Sequence, residues 1–167
     1  MKTTARLKIV EITESDFPEL LKLYNKSENM KFILSGKSDY KLDELKDKWQ
    51  NLKYHSDSKI GFRLIKLKTN NQIIGECGLL NTDKPTTEEV EIAYMIDENY
   101  WKQGFGSEVC EHLIHEAFVK LKTKRILAGM YAENINSIKL VEKFGFTLCH
   151  EGISKSGIHF KEYELAR

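Results

Sequence analysis

Trp101-Lys102-Gln103-Gly104-Phe105-Gly106-Ser107 sets two glycines two residues apart at the entrance to a helical pattern. Such a loop lets backbone N–H groups converge on an anion, because the first turn of a helix carries donors without partners and the positive end of the helix dipole. Glycine suits the position, since no Cβ blocks a positive φ or the close approach of a ligand. Phosphate is therefore the first ligand class the residues suggest. The loop is not a P-loop, having no Gly-Lys-Ser/Thr at the required spacing, and it lacks the third glycine of a dinucleotide fingerprint. A plain connecting turn is the competing reading. Lys102 adds charge, although a lysine beside a turn is ordinarily just solvated. A second polar pair, Asn134-x-x-Ser137, reads by itself as a helix start whose side chains satisfy free backbone donors, with Leu140, Val141 and Phe144 as core.

The elements that must position these residues follow from periodicity. Residues 90–96 read as a strand, and Val109, Cys110, Leu113, Ile114, Ala117, Phe118 and Leu121 share one face of a helix over 107–122. With a strand at 125–131 they form a β-loop-α-β unit, whose two strands run parallel through a right-handed crossover. Upstream, 5–12 alternates as a half-buried strand. Thr13 or Ser15 then caps a helix through Phe17, Leu20, Leu21, Leu23 and Tyr24. Residues 25–39 read as a loop or broken helix, and 40–55 as a helix with Leu42, Leu45, Trp49 and Leu52 on one stripe. Strands near 61–68 and 72–80 flank the turn Thr69-Asn70-Asn71, and 81–89 is a polar loop. A helix over 135–144 stops at Gly145, and two strands near 146–151 and 158–165 pair through Ser156-Gly157.

Bulk properties narrow the function classes. At 167 residues the chain reads as one domain, 1–167, large enough to bury a core. Apolar residues make up 41%, charged residues 31%, and the net charge is +1, which gives no sign of a nucleic-acid surface. No apolar run approaches the ~20 residues that span a bilayer, and Met1-Lys2-Thr3-Thr4 begins no signal-peptide core, so a cytoplasmic protein without membrane partners is expected. Cys77, Cys110 and Cys149 sit far apart among apolar neighbours and read as core thiols. No metal spacing is present, and no metal is expected.

Taken together, three segments resemble the GNAT superfamily of acyl-CoA-dependent N-acetyltransferases: Glu91-Ile92-Ala93-Tyr94-Met95-Ile96, Tyr100-Trp101-Lys102-Gln103-Gly104-Phe105-Gly106-Ser107-Glu108, and Asn134-x-x-Ser137-x-x-Leu140-x-Glu142-Lys143-x-Gly145-Phe146. Thr4-Ala5-Arg6-Leu7 followed by Thr13-Glu14-Ser15-Asp16 is similar to the branch of ribosomal-protein N-terminal (Rim-type) acetyltransferases. The resemblance spans nearly the whole chain. It departs at Trp101, where the superfamily usually has Arg or Gln, at Val10, where the branch often has Arg, and at Val141, where many members have a tyrosine acid.

The resemblance implies an α/β (α+β) domain: a mixed, mostly antiparallel sheet whose central parallel strand pair splays apart, flanked by helices. It implies acetyl-CoA as cosubstrate, with pantetheine along the backbone of Met95 and Ile96 and the diphosphate on N–H groups of Gln103, Gly104, Phe105, Gly106 and Ser107. Asn134 would contact pantetheine or shape its channel, and Lys139 would approach the adenosine end. Acetyl would pass directly to a primary amine, with a backbone N–H near Met95 facing the developing oxyanion. Glu91 is the candidate base, with Glu76 and a water relay as rivals, and Ser137 the candidate acid for the thiolate. None of His55, His112, His115, His150 and His159 forms a nucleophile arrangement; His112 and His115 are expected at the solvent edge of their helix. The acceptor stays open between a protein N-terminal α-amine and a small amine such as a polyamine, aminoglycoside or amino acid. A CoA-binding sensor without turnover is the alternative from another class. Both monomer and homodimer remain open.

Overall fold

The computed structural model describes residues 4–33, 37–51, 60–82 and 88–167. Alternating apolar residues form seven strands: β1 (Leu7–Val10), β2 (Gly61–Leu67), β3 (Ile73–Leu80), β4 (Glu89–Ile96), β5 (Arg125–Tyr131), β6 (Thr147–Ile153) and β7 (His159–Ala166). They build one sheet in the order β1-β2-β3-β4-β5-β7-β6. Every neighbouring pair is antiparallel except β4 and β5, which are parallel.

Two apolar layers cover the sheet. On one face α4 (Phe105–His115) and α5 (Ile135–Lys143) bury Phe105, Val109, Leu113, Ile138 and Val141 against Ile65, Cys77, Leu79, Ile92 and Ile126. On the other, α1 (Phe17–Tyr24), α2 (Ser27–Met30) and α3 (Leu42–Asn51) bury Leu20, Leu23, Met30 and Leu45 against Leu64 and Met95. Strand alternation sorts β4 between these layers: Ile92 belongs to the first and Met95 to the second. With both faces covered, the central strand β3 departs from alternation and reads as a nearly continuous buried run.

Most sequence boundaries hold within a residue or two. Thr13 closes a capping box with Asp16 over a single 3-10 turn before α1. The broken helix expected in 25–39 contains α2. The helix expected over 107–122 starts two residues earlier, at Phe105, because Gly104 takes the left-handed conformation (φ +83°) and becomes its N-cap. Its last stretch, Glu116–Leu121, widens into a π-helical turn. For the helix expected over 40–55, residues 52–55 and the Trp49 side chain lie outside the described residues, as do 83–87 of the polar loop. Cys149 corrects the reading of three core thiols: it is exposed on the edge strand β6, whereas Cys77 and Cys110 are buried. Nearly all of β6 is exposed.

Candidate functional site

The start of α4 is built to leave donors free. The Gly104 carbonyl accepts from the Ser107 N–H (3.1 Å) and the Glu108 N–H (3.3 Å) and is the helix's first acceptor. The N–H groups of Phe105 and Gly106 come before any acceptor one helical turn away and therefore have no partner within the helix. Lys102 (φ +59°) and Gly104 (φ +83°) turn the backbone sharply to present this end. Gly106 is small for a different reason: a Cβ there would lie 3.0 Å from Leu140 Cδ2, so it sets how closely α4 packs on α5. From α5, Lys143 Nζ donates to the Ser107 hydroxyl at 3.3 Å, placing an ammonium beside the loop. A set of backbone donors, a helix N-terminus and a cation fits an anionic group.

Next to this loop the sheet opens. β4 and β5 pair only at Glu89–Arg125, Val90–Ile126 and Glu91–Leu127. Beyond Glu91, β4 continues on β3 as far as Ile96, and β5 continues on β7 as far as Tyr131, leaving a wedge between them. The Asp97 N–H donates to the Ile74 carbonyl (2.8 Å), and the β3–β4 register is unbroken. Alternation then aims the amide of Met95 at β3 and those of Tyr94 and Ile96 into the wedge. A strand-edge donor near Met95 therefore belongs to Tyr94 or Ile96. The Ile96 carbonyl is already taken by the Trp101 indole N–H (2.6 Å), which folds the loop back on the strand end. Lys26 pairs with both oxygens of Asp97 (2.8 and 2.9 Å), and Asn29 accepts from the Glu98 N–H, pinning the same corner to α1 and α2.

Chemistry-bearing side chains approach the wedge from both faces. Glu91 lies at its apex on the side of α1 to α3, and a Cβ at Gly129 of β5 would sit 3.1 Å from Glu91 Oε1. The bare backbone of Gly129 thus makes room for the carboxylate across the opening. Glu76 is only 4% exposed and accepts from the Tyr24 hydroxyl at 2.5 Å, so it is walled into the core. On the opposite face, Asn134 caps α5 by accepting from the Ser137 N–H (3.3 Å). The Tyr94 hydroxyl is shut away from solvent beside Ser137, and burial, against the opposing influence of Ser137, pushes its pKa up to about 12. It stays protonated at neutral pH.

Comparison with known proteins shows the family. The chain matches the family model described as acetyltransferase (GNAT) domain over residues 6–147. The chain belongs to the GNAT acetyltransferase family. An uncharacterized N-acetyltransferase, p20 of Bacillus licheniformis, is 34% identical over 101 residues, covering 60% of this chain and 52% of that protein. The chain therefore spans about half the length of that curated relative. Among solved structures, RimL, a ribosomal L7/L12 alpha-N-protein acetyltransferase in complex with coenzyme A, superposes with a TM-score of 0.83 at 19% identity, covering 97% of this chain and 94% of that one. Spermidine N-acetyltransferase from Vibrio cholerae, in complex with CoA and spermine, superposes with a TM-score of 0.81 at 16% identity, covering 97% and 96%. At such identities the likeness is one of fold.

Within this GNAT domain the sequence-derived residues gather in two groups. Gln103, Gly104, Phe105, Gly106 and Ser107 form the helix-start loop, and Met95 and Ile96 end the strand beside it. Glu91, Asn134 and Ser137 lie on segments bordering the wedge. Lys139 is exposed on α5, and Lys143 is the lysine that reaches the loop. Val141 is fully buried, so the missing tyrosine position is core. Burial pushes the Cys77 and Cys110 thiols up to about 12, which keeps both as inert thiols. His112 and His115 are half-buried on α4. Among the described residues no group of three or more His, Cys, Asp or Glu could hold a metal ion. Tyr94, Lys143 and Arg6 were missed as site neighbours, although each lies within a segment that carries the resemblance: Glu91–Ile96, Asn134–Phe146 and Thr4–Leu7.

Proposed function

We propose that this chain is an acetyl-CoA-dependent N-acetyltransferase that passes acetyl directly to a primary amine, with a protein N-terminal α-amine as its acceptor. The wedge between β4 and β5, with the open start of α4 on one side and Glu91 at its apex, carries the reading. The α4 loop holds the diphosphate on the N–H groups of residues 103–107, with Lys143 adding a positive charge. Strand-edge groups of β4 hold the pantetheine arm in the wedge, and Asn134 borders its path. The thioester then lies between a carboxylate on one sheet face and a hydroxyl on the other. Fixing donor and amine in that gap supplies much of the rate, since effective molarities are worth ~7–11 kcal/mol.

Three groups of the chain complete the transfer. Glu91 takes the proton of the incoming amine, directly or through water, and its place at the opening suits it better than the enclosed Glu76. An edge N–H of Tyr94 or Ile96 meets the charge that develops on the carbonyl oxygen. Ser137 passes a proton to the departing sulfur, directly or through water, and regains one from water in the cleft. An α-amine, with a reference pKa of roughly 7.7–8 against about 10.4 for lysine, needs only modest help from a carboxylate. The Thr4-Ala5-Arg6-Leu7 opening and the fold shared with RimL favour the N-terminal acceptor. The fold shared with spermidine N-acetyltransferase favours a polyamine as the second reading.

Two measurements test this. At a CoA concentration 100-fold above Kd, mass action adds ~2.7 kcal/mol of stability. For a protein of this size that raises Tm by roughly 2–4 °C per kcal/mol. A panel of peptides beginning with Ala or Ser, set against spermine, spermidine, aminoglycosides and amino acids, then reads the acceptor. Acetylation of peptides alone supports the N-terminal reading, and acetylation of small amines alone replaces it. Stabilisation by CoA with no acetylated product from any amine makes the chain a sensor, and the absence of stabilisation removes the donor site.

A further inference from the structure

Arg6, just before β1, lies about a hundred residues from the α4 loop in sequence and grips it in space. Its backbone N–H donates to Glu108 Oε2 at 3.0 Å, and its Nε donates to the other oxygen of the same carboxylate. Its Nη1 donates to the Gln103 carbonyl at 2.9 Å. The guanidinium carbon stands 4.0 Å over the Phe105 ring, and Nη2 is so close to Gly104 that a Cβ there would come within 3.3 Å of it. One side chain therefore touches residues 103, 104, 105 and 108, the loop and the first helical turn together.

An exposed ion pair contributes little by itself. This guanidinium does more, because its rigid fork ties a side-chain carboxylate to a backbone carbonyl while its face covers an aromatic ring. The loop it holds contains two positive-φ residues, Lys102 and Gly104. Amides that must converge on one anion bind best when their geometry is set before the ligand arrives. Glu108 also lies in the first turn of α4, where an uncompensated carboxylate would repel a diphosphate; Arg6 neutralises it.

We propose that Arg6 is a positioning residue for the donor's diphosphate: it presets the α4 loop and cancels the charge of Glu108. The proposal rests on the acetyl-CoA reading above. Its test compares acetyl-CoA with S-acetylpantetheine, which keeps the thioester and lacks the diphosphate, using an acceptor amine found by the panel. In the wild-type protein kcat/KM favours acetyl-CoA. Arg6→Gln lowers that preference on the order of ten-fold, entering through KM for acetyl-CoA, as expected for loss of charge-assisted hydrogen bonds. Arg6→Lys, which keeps the charge without the fork, lowers it less. If Arg6→Gln does not fold, Arg6→Lys carries the test, and its preference must still fall.

A wild-type preference in either folded variant, or an equal loss on both donors, overturns the role of Arg6 while leaving the acetyl-CoA reading intact. A wild-type protein that does not distinguish the two donors removes the diphosphate loop, and this proposal with it.

Discussion

Glu91 owes its candidacy to position. It sits at the last residue pair before β4 and β5 part, and its carboxylate lies over the bare backbone of Gly129. General-base catalysis contributes typically 10²–10⁴-fold. Glu91→Gln is therefore expected to lower kcat/KM by about 100-fold at pH 7. The deficit should shrink above roughly pH 8, where an α-amine is already neutral. A pH profile of the variant from 6.5 to 9.5 measures this, and an equal deficit at every pH would remove the base role. Ser137 borders the wedge from the other face, with Val141 packed in the core where a tyrosine acid would otherwise stand. Ser137→Ala should reduce kcat at least ten-fold while leaving KM for acetyl-CoA within about two-fold, as loss of a proton donor to the departing sulfur requires. A rise confined to KM would instead mark Ser137 as part of the α5 cap.

At the scale of elements, the decisive relation is the one between β4 and β5. Each keeps a full antiparallel partner on its outer side, so the wedge costs no collapse of the sheet. Gly129 shows how a strand can serve a side chain on its neighbour. Gly129→Ala improves strand propensity, because Gly in a strand interior is weakening. It also places a methyl 3.1 Å from Glu91 Oε1. The expected outcome is a Tm equal to or above wild type, with kcat/KM lowered several-fold by the displaced carboxylate. Unchanged turnover in a folded Gly129→Ala protein would show that the Glu91 position is not critical. The unit β4-loop-α4-β5 was legible in the sequence because its periodicity changes sharply from two to 3.6 at two glycines. The start of α4 was read two residues late, since the left-handed turn at Gly104 is a backbone property that residue type permits without dictating.

The whole molecule joins two apolar layers through one sheet, and polar ties fasten the second layer's helices to it. Asp16, at the entry to α1, accepts from Lys66 of β2 (2.7 Å) and from the Thr13 N–H (2.9 Å). Burial alone would raise its pKa, but the hydrogen bonds from Lys66 and Thr13 outweigh it and hold the carboxyl below its ordinary value of 3.8. A folded-state pKa below the unfolded one gives stability that is complete above the unfolded value and lost as pH falls through the folded value. Melting curves from pH 6 to pH 2 should therefore fall more steeply for wild type than for Asp16→Asn below about pH 4. Parallel curves would show that Asp16 does not contribute to acid unfolding.

Local pattern carried much of this protein. Strand alternation, helical stripes and the spacing of Gly104, Gly106, Asn134 and Ser137 are properties of neighbouring residues, and they were enough to mark the parallel unit, the candidate loop at the start of α4 and the family. What only the tertiary structure decided are relations between distant segments. These include where β4 leaves β5, which glutamate borders that parting and which is enclosed, and that Arg6 and Lys143 converge on one loop. They depend on how the sheet twists and how helices settle on it, which is fixed by packing among residues far apart in the chain and leaves no periodic trace along it.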